Sequence, residues 1–174
     1  QMLMSIRTLN LDEVNKLGEG VKAIALPDER WDKVDIKTTN LIPNILAQTK
    51  AEKKFAYTAM LFRDGICTEG ATSNVFAVKD GILYTHPADN HILKGITRQM
   101  IVTRVAPSLG ITLIEKEFDR AFVDDADELF FTDTIGGVIP IIKLDKNPVS
   151  GGKLGHVTLR LREALEKLME EGLP

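Results

Sequence analysis

Residues 57–85, YTAMLFRDGICTEGATSNVFAVKDGILYT, carry two Asp-Gly pairs, Asp64-Gly65 and Asp80-Gly81, each set between apolar runs. A two-residue hairpin loop needs positive φ at both central positions, and Asp-Gly meets that need at low cost. The stretch therefore reads as two β-hairpins, 57–63 with 66–69 and 74–78 with 82–85. Upstream, 21–26 and 31–37 have strand patterns, the second ending on Lys37. Residues 40–54 read as a helix in which Pro43 is tolerable only in the first turn. Downstream, Thr97 reads as the N-cap of a helix with apolar positions Ile101, Val105 and Leu109, stopped at Gly110 and shortened by Pro107. A strand at 111–118, a short acidic helix at 119–127 and strands at 128–132 and 138–144 follow. Residues 155–171 form an amphipathic helix on Val157, Leu161, Leu165 and Leu168, with Gly172 past its end. The expected fold class is α/β: a mixed, largely antiparallel pseudo-barrel sheet with flanking helices.

A chain of 174 residues, 44% apolar and 27% charged, is long enough for one substantial core. Its formal charge of −3, with basic and acidic residues interspersed, offers no footprint for nucleic acid or an anionic membrane surface. A small molecule is the expected partner. No apolar run has the length of a bilayer span. A single cysteine, Cys67, excludes an internal disulfide and fits a reducing cytoplasm. His86, His91 and His156 lack the i, i+4 spacing of a helical zinc motif, so no metal site is expected.

Three polar or glycine-containing loops interrupt the apolar strands: TEGATSN (68–74), LKGITR (93–98) and TDTIGG (132–137). In LKGITR, Gly95 permits close approach to the backbone, and the amides of Ile96 and Thr97 open a helix, where an anion is favoured. The same residues would equally make a plain capped helix start. TDTIGG presents Thr132, Thr134 and two glycines to the same anion, or is a turn between two strands; an ionised Asp133 beside a phosphate is repulsive unless it points away. Glu69 ends a strand, where it is either solvated or, if buried, in need of a partner. Lys37 is either a surface lysine or, if desolvated, an amine able to form a Schiff base.

Taken in order, VDIK with Lys37, TEGATSNVF, LYTHPADNHILKGITR and FFTDTIGG resemble the class IV, or fold-type IV, aminotransferases over nearly the whole chain. The resemblance rests on Glu69, Ala71, Asn74, Val75, Phe76, Leu83, Thr85, Leu93, Gly95, Ile96 and Arg98 at the family's spacings. It implies a pyridoxal 5′-phosphate enzyme in which Lys37 holds the cofactor as an internal aldimine and moves the α-proton. It further implies that Glu69 faces the pyridine nitrogen, that Leu93 packs on the ring, and that Gly95, Ile96, Thr97, Asp133 and Thr134 line the phosphate site.

The reaction implied is transamination between an amino acid and a 2-oxo acid. D-Amino-acid aminotransferases such as those acting on D-alanine resemble it most. Branched-chain aminotransferases come next, then aminodeoxychorismate lyases, and a scaffold that lost the chemistry stands as the non-enzymatic alternative. The resemblance also implies a homodimer. In this reading residues 1–19 are an interdomain linker remnant and 20–174 the cofactor-binding C-terminal domain, with the N-terminal domain, and its phosphate-binding arginine, absent; a half-open site with weak or no transaminase activity and an incomplete dimer interface is expected of such a chain.

Overall fold

The computed structural model describes residues 4–6, 8 and 10–172. Strands β1 (Val21–Pro27), β2 (Thr58–Arg63), β3 (Ile66–Gly70), β4 (Asn74–Lys79), β5 (Ile82–Thr85), β6 (Leu113–Glu115), β7 (Glu128–Asp133), β8 (Gly137–Leu144) and β9 (Asn147–Pro148) form one sheet. Its order is β3-β2-β1-β8-β7-β4-β5-β6, with β9 paired to β8. The pairs β1/β2, β1/β8 and β5/β6 are parallel and the remainder antiparallel, as the expectation of a mixed, largely antiparallel sheet requires.

The sheet curls until its ends meet. Ile66 of edge strand β3 bridges Asp119, just beyond the other edge strand, and the Cys67 amide donates to the Phe118 carbonyl at 2.9 Å. Joining the edges in this way gives their exposed backbone groups partners, which an open edge would lack. Both hairpin turns have positive φ at Asp64 and Gly65 and at Asp80 and Gly81, as the Asp-Gly pairs predict.

Residue alternation explains why the central strands are apolar on both faces. Val75 and Ala77 of β4 and Leu129 and Phe131 of β7 enter one core cluster, with Met60, Ile139 and Ile141. Their neighbours Phe76, Val78 and Phe130 enter a second cluster with the helices, where Phe76 and Phe130 stack at 4.9 Å between centroids. Helix α1 (Leu11–Leu17) lies in the segment expected to be a linker, and Leu17 packs on the first cluster. Helix α2 (Ile42–Glu52), with Pro43 in its first turn, places Ala47 and Ala51 against Ala59 and Leu61.

Several local expectations are corrected. Residues 31–37 form turns and bends rather than a strand. The ladder of β1 with β2 ends at Pro27 opposite Phe62, with the Asp28 amide on the Phe62 carbonyl, and no strand continues beside the chain beyond that point. The helix expected to be capped by Thr97 instead begins two residues earlier, as α3 (Ile96–Met100), with extended Gly95 at the cap. It passes through a π turn (Ile101–Val105) into α4 (Ala106–Ser108), so the register slips ahead of Pro107, which has no amide to donate. The strand expected at 111–118 is only β6, and the acidic helix is only α5 (Arg120–Asp124), capped by Asp119. Among the described residues no helix is long and apolar enough to cross a membrane.

The closing helix, α6 (His156–Glu170), buries Leu161 and Leu165 and starts on a carboxylate from the sheet. Glu128 accepts from the amides of Val157 (3.0 Å) and Thr158 (2.7 Å) and from the Thr158 hydroxyl (2.7 Å). These are first-turn donors with no partner inside the helix, and an anion is favoured there. Glu128→Ala leaves three buried or half-buried donors unpaired and is expected to cost about 2–3 kcal/mol, read as a lower midpoint in urea denaturation with unchanged slope.

Candidate active site

The sheet register assembles the site. Asn74, at the start of β4, pairs with Thr132, at the end of β7, so TEGATSN and TDTIGG are neighbours by construction. The Thr97 hydroxyl donates to the Asp133 carbonyl at 2.9 Å, and the Asn74 side chain donates to the Leu93 carbonyl at 2.8 Å, which draws LKGITR onto the same end of the sheet. Gly95 is required here, since a Cβ would run into the Asn74 side-chain oxygen. The three loops and the 30–44 segment enclose a cavity of about 260 Å³. All eight residues singled out from the sequence line it: Lys37, Glu69, Leu93, Gly95, Ile96, Thr97, Asp133 and Thr134.

At its base lies a buried ionic network that the sequence reading missed. The Arg30 guanidinium grips Asp28 with two prongs, Nε to Oδ1 at 2.8 Å and Nη2 to Oδ2 at 2.7 Å, and Nη1 donates to Glu69 Oε1. Thr68 donates to Asp28 Oδ2 at 2.9 Å. The other oxygen of Glu69 accepts from Asn74 Nδ2 at 2.8 Å and from the Leu93 amide at 3.1 Å. Side chains of Arg30, Asp28 and Glu69 are at most 5% exposed. Burial would raise the Asp28 pKa, but the two-pronged guanidinium outweighs it and holds the carboxyl below its ordinary value. Glu69 shares that single nearby cation. Burial pushes its pKa up to about 7, and Arg30 limits the rise.

The upper part of the cavity is different in kind. Ser73 and Thr132 are buried, yet each hydroxyl lacks a partner, a costly arrangement unless the cavity supplies one. Thr134 and Lys37 are exposed on its rim, so the lysine is not desolvated here. The Asp133 carboxylate does point away: Oδ1 accepts from the amides of Ile135 (2.9 Å) and Gly136 (2.6 Å), and Oδ2 from the Tyr57 hydroxyl at 3.2 Å. Burial and that carboxylate push the Tyr57 phenol up. Asp133 is thus a loop-shaping residue, and it takes two amides of TDTIGG for itself.

A polar ligand carrying an anionic group fits these residues. It would find unpartnered hydroxyls on one side, the unpaired first-turn amides of α3 beside them, a primary amine on the rim and a buried carboxyl at the base. Sequence signals for Arg30 and Asp28 were weak because charge type says nothing of burial; Ser73 and Thr132 lay inside the flagged loops.

The family model described as amino-transferase class IV matches residues 1–144. A D-alanine aminotransferase of Staphylococcus aureus (strain COL) is 42% identical over 88% of this chain and 54% of its own length. A branched-chain aminotransferase from Thermoproteus uzoniensis, solved with norvaline, superposes at a TM-score of 0.81 with 31% identity over 87% of this chain and 52% of that one. A second branched-chain amino acid aminotransferase, from the source abbreviated T.th. and complexed with N-(5′-phosphopyridoxyl)-L-glutamate, superposes at 0.81, with 29% identity over 91% and 55%. The chain spans about half the length of the curated relatives it matches.

Two outcomes test the buried network. Arg30→Ala strands two buried carboxylates and is expected to cost about 3–5 kcal/mol in urea denaturation. Glu69 has a folded pKa of about 7 against an ordinary 4.5, so between those values the folded state binds the proton more tightly. Its contribution is complete at low pH and is lost as pH rises through about 7. Denaturation of Glu69→Gln followed from about pH 5 to about pH 8 is expected to lack that decline, which the unaltered chain shows.

Proposed function

The chain belongs to the class IV aminotransferase family, and on that premise we propose that its cavity holds pyridoxal 5′-phosphate on Lys37 and serves transamination between a D-amino acid such as D-alanine and a 2-oxo acid. The observation that carries this reading is the meeting of Lys37, Glu69 and a set of unpartnered hydroxyls on one cavity. The cofactor class is supported by the phosphopyridoxyl compound named for the T.th. enzyme, and the D-alanine preference by the curated relatives at about 42% identity.

When bound, pyridoxal phosphate supplies an aldehyde for an amine and a ring that withdraws electrons from the substrate α-carbon. The chain does the rest. Lys37 Nζ would be the amine that holds the cofactor and the group that moves the α-proton. Glu69, fixed by Arg30, Asn74 and the Leu93 amide, offers a carboxylate to a protonated ring nitrogen at the buried base. Leu93 packs beside the ring, and the hydroxyls of Thr97, Thr134, Ser73 and Thr132 with the Ile96 and Thr97 amides bind phosphate. For the Thr97 hydroxyl this means turning its one proton from the Asp133 carbonyl to a phosphate oxygen. Exposed Ile42, Ile45 and Leu46 on α2 support a covered apolar face in the assembled enzyme, a homodimer.

A second reading, an L-branched-chain aminotransferase, is favoured by structural neighbours of that name. The two separate on substrate. The chain is mixed with pyridoxal phosphate, its absorbance followed, and borohydride added before peptide mass analysis. A single reduced adduct on Lys37, lost in Lys37→Ala, is expected; adducts scattered over many lysines, or none, overturn the reading. Loss of the cofactor absorbance on adding D-alanine but not L-leucine fixes the substrate class, and the reverse favours the branched-chain reading. Lys37→Ala should slow this half-reaction by about 10²–10⁴-fold or more.

A further inference from the structure

Residues 86–91, HPADNH, link β5 to the loop that carries Leu93 and Gly95. The histidines lack helical spacing, but the fold brings two of them together on a loop. One ring nitrogen from each of His86 and His91 and one carboxylate oxygen of Asp89 lie within 4.8 Å of one another. His86 Nδ1 is 3.8 Å from Asp89 Oδ1, and His91 Nδ1 is 3.5 Å from Asp89 Oδ2. The two rings stand nearly perpendicular, at 83°, so their donors come from different directions.

The loop is already bent for this. The Asp89 amide donates to the Pro87 carbonyl at 2.9 Å, and the His91 amide to Asp89 Oδ1 at 2.8 Å. The Pro87 carbonyl also stands 2.9 Å from His86 Nδ1, where it accepts that nitrogen's proton, holds the ring in place and leaves Nε2 as the ligand atom. Three donors within six residues need little chain entropy to converge. His86 is 2% exposed, whereas Asp89 and His91 are about one-third exposed, which leaves an entry path and room for water. Two guanidiniums stand near: Arg98 donates to the His86 carbonyl and Arg30 to the His91 carbonyl, but each is paired, with Glu115 and with Asp28 and Glu69.

We propose that His86, Asp89 and His91 bind a divalent transition metal, zinc or a close relative, with water completing the coordination. Two imidazoles and a carboxylate suit such ions, whereas magnesium and calcium take oxygen ligands. The ion clamps the wall of the cavity. The Asn90 carbonyl accepts from the Val34 amide at 2.9 Å, Asn90 Nδ2 donates to the Asp32 carbonyl at 3.0 Å, and the His91 carbonyl accepts from Arg30 at 3.3 Å. The 30–37 segment, with Lys37 at its end, therefore hangs on this loop.

The test uses the full chain, free of any histidine tag and stripped with a chelator. Cobalt(II) is titrated in while its visible bands are recorded, then displaced by zinc(II); the emission of Trp31, the only tryptophan and part of the clamped segment, is followed with zinc alone. The expected result is one ion per chain, a change in Trp31 emission reversed by chelator, and little response to magnesium. Asp89→Asn and His91→Ala, at half-exposed positions, weaken binding about tenfold or more, while exposed His156→Ala does not. Absence of zinc binding, or binding indifferent to both loop substitutions, overturns the site. Binding that leaves Trp31 emission unchanged overturns the clamp. None of these readouts depends on transamination.

Discussion

The cavity depends on one guanidinium. Arg30 lies between two buried carboxylates and holds the end of β1, through Asp28, to the end of β3, through Glu69. It also reaches the Thr68 hydroxyl and the His91 carbonyl, so the loop leading to α3 is tied to the same cation. Removing a planar group with five donors from such a place would not merely lose hydrogen bonds; it would leave like charges facing one another out of water. Asp28 receives the two-pronged grip, and Arg63 stands 3.6 Å from it as a second cation. Glu69 receives what is left, which is why burial moves its ionisation toward neutrality and leaves Asp28 firmly ionised.

Around that network the sheet sets geometry that no single loop could set. The antiparallel register places Asn74 opposite Thr132, and the Asn74 amide side chain then spans from Glu69 to the Leu93 carbonyl. Asn74 is thus the joint between three loops far apart in sequence. An Asn can do this because its side chain both donates twice and accepts, and because Gly95 leaves it the space.

Much of this was legible in the sequence, for physical reasons that differ by element. The Asp-Gly turns declare their own conformation, so both hairpins could be read directly, and α6 could be read from Leu161 and Leu165 at helical spacing. Residues 31–37 alternate like a strand but have no strand beside them, and pairing is a property of neighbours rather than of the segment. Thr97 has the side chain of a cap but spends it on the Asp133 carbonyl, so the cap falls to Gly95. Seven of the eight residues found lining the cavity sit in loops that packing did not require, whereas Lys37 ended a segment read as a strand and was singled out by the family resemblance. Arg30 and Asp28 could not, because burial of a charge is decided by partners distant in the chain.

Asp133 shows how such partners change a residue's meaning. In the sequence it is a carboxylate beside an expected anion site and therefore an objection. In the structure its oxygens are committed to the Ile135 and Gly136 amides and to Tyr57, so its charge is turned from the cavity and the turn is held in shape. The cost is that those two amides cannot serve an anion, so an anion held here would have to be bound by hydroxyls. Ser73 and Thr132, buried without partners, are the polar atoms that the proposed phosphate site has to offer in place of those amides. The Arg30, Asp28 and Glu69 side chains at the base of the cavity are fully paired, whereas the Ser73 and Thr132 hydroxyls are not and Lys37 is exposed. That division is what a site needs if one face of its ligand is to be held fixed while a covalent partner at the other face is free to move.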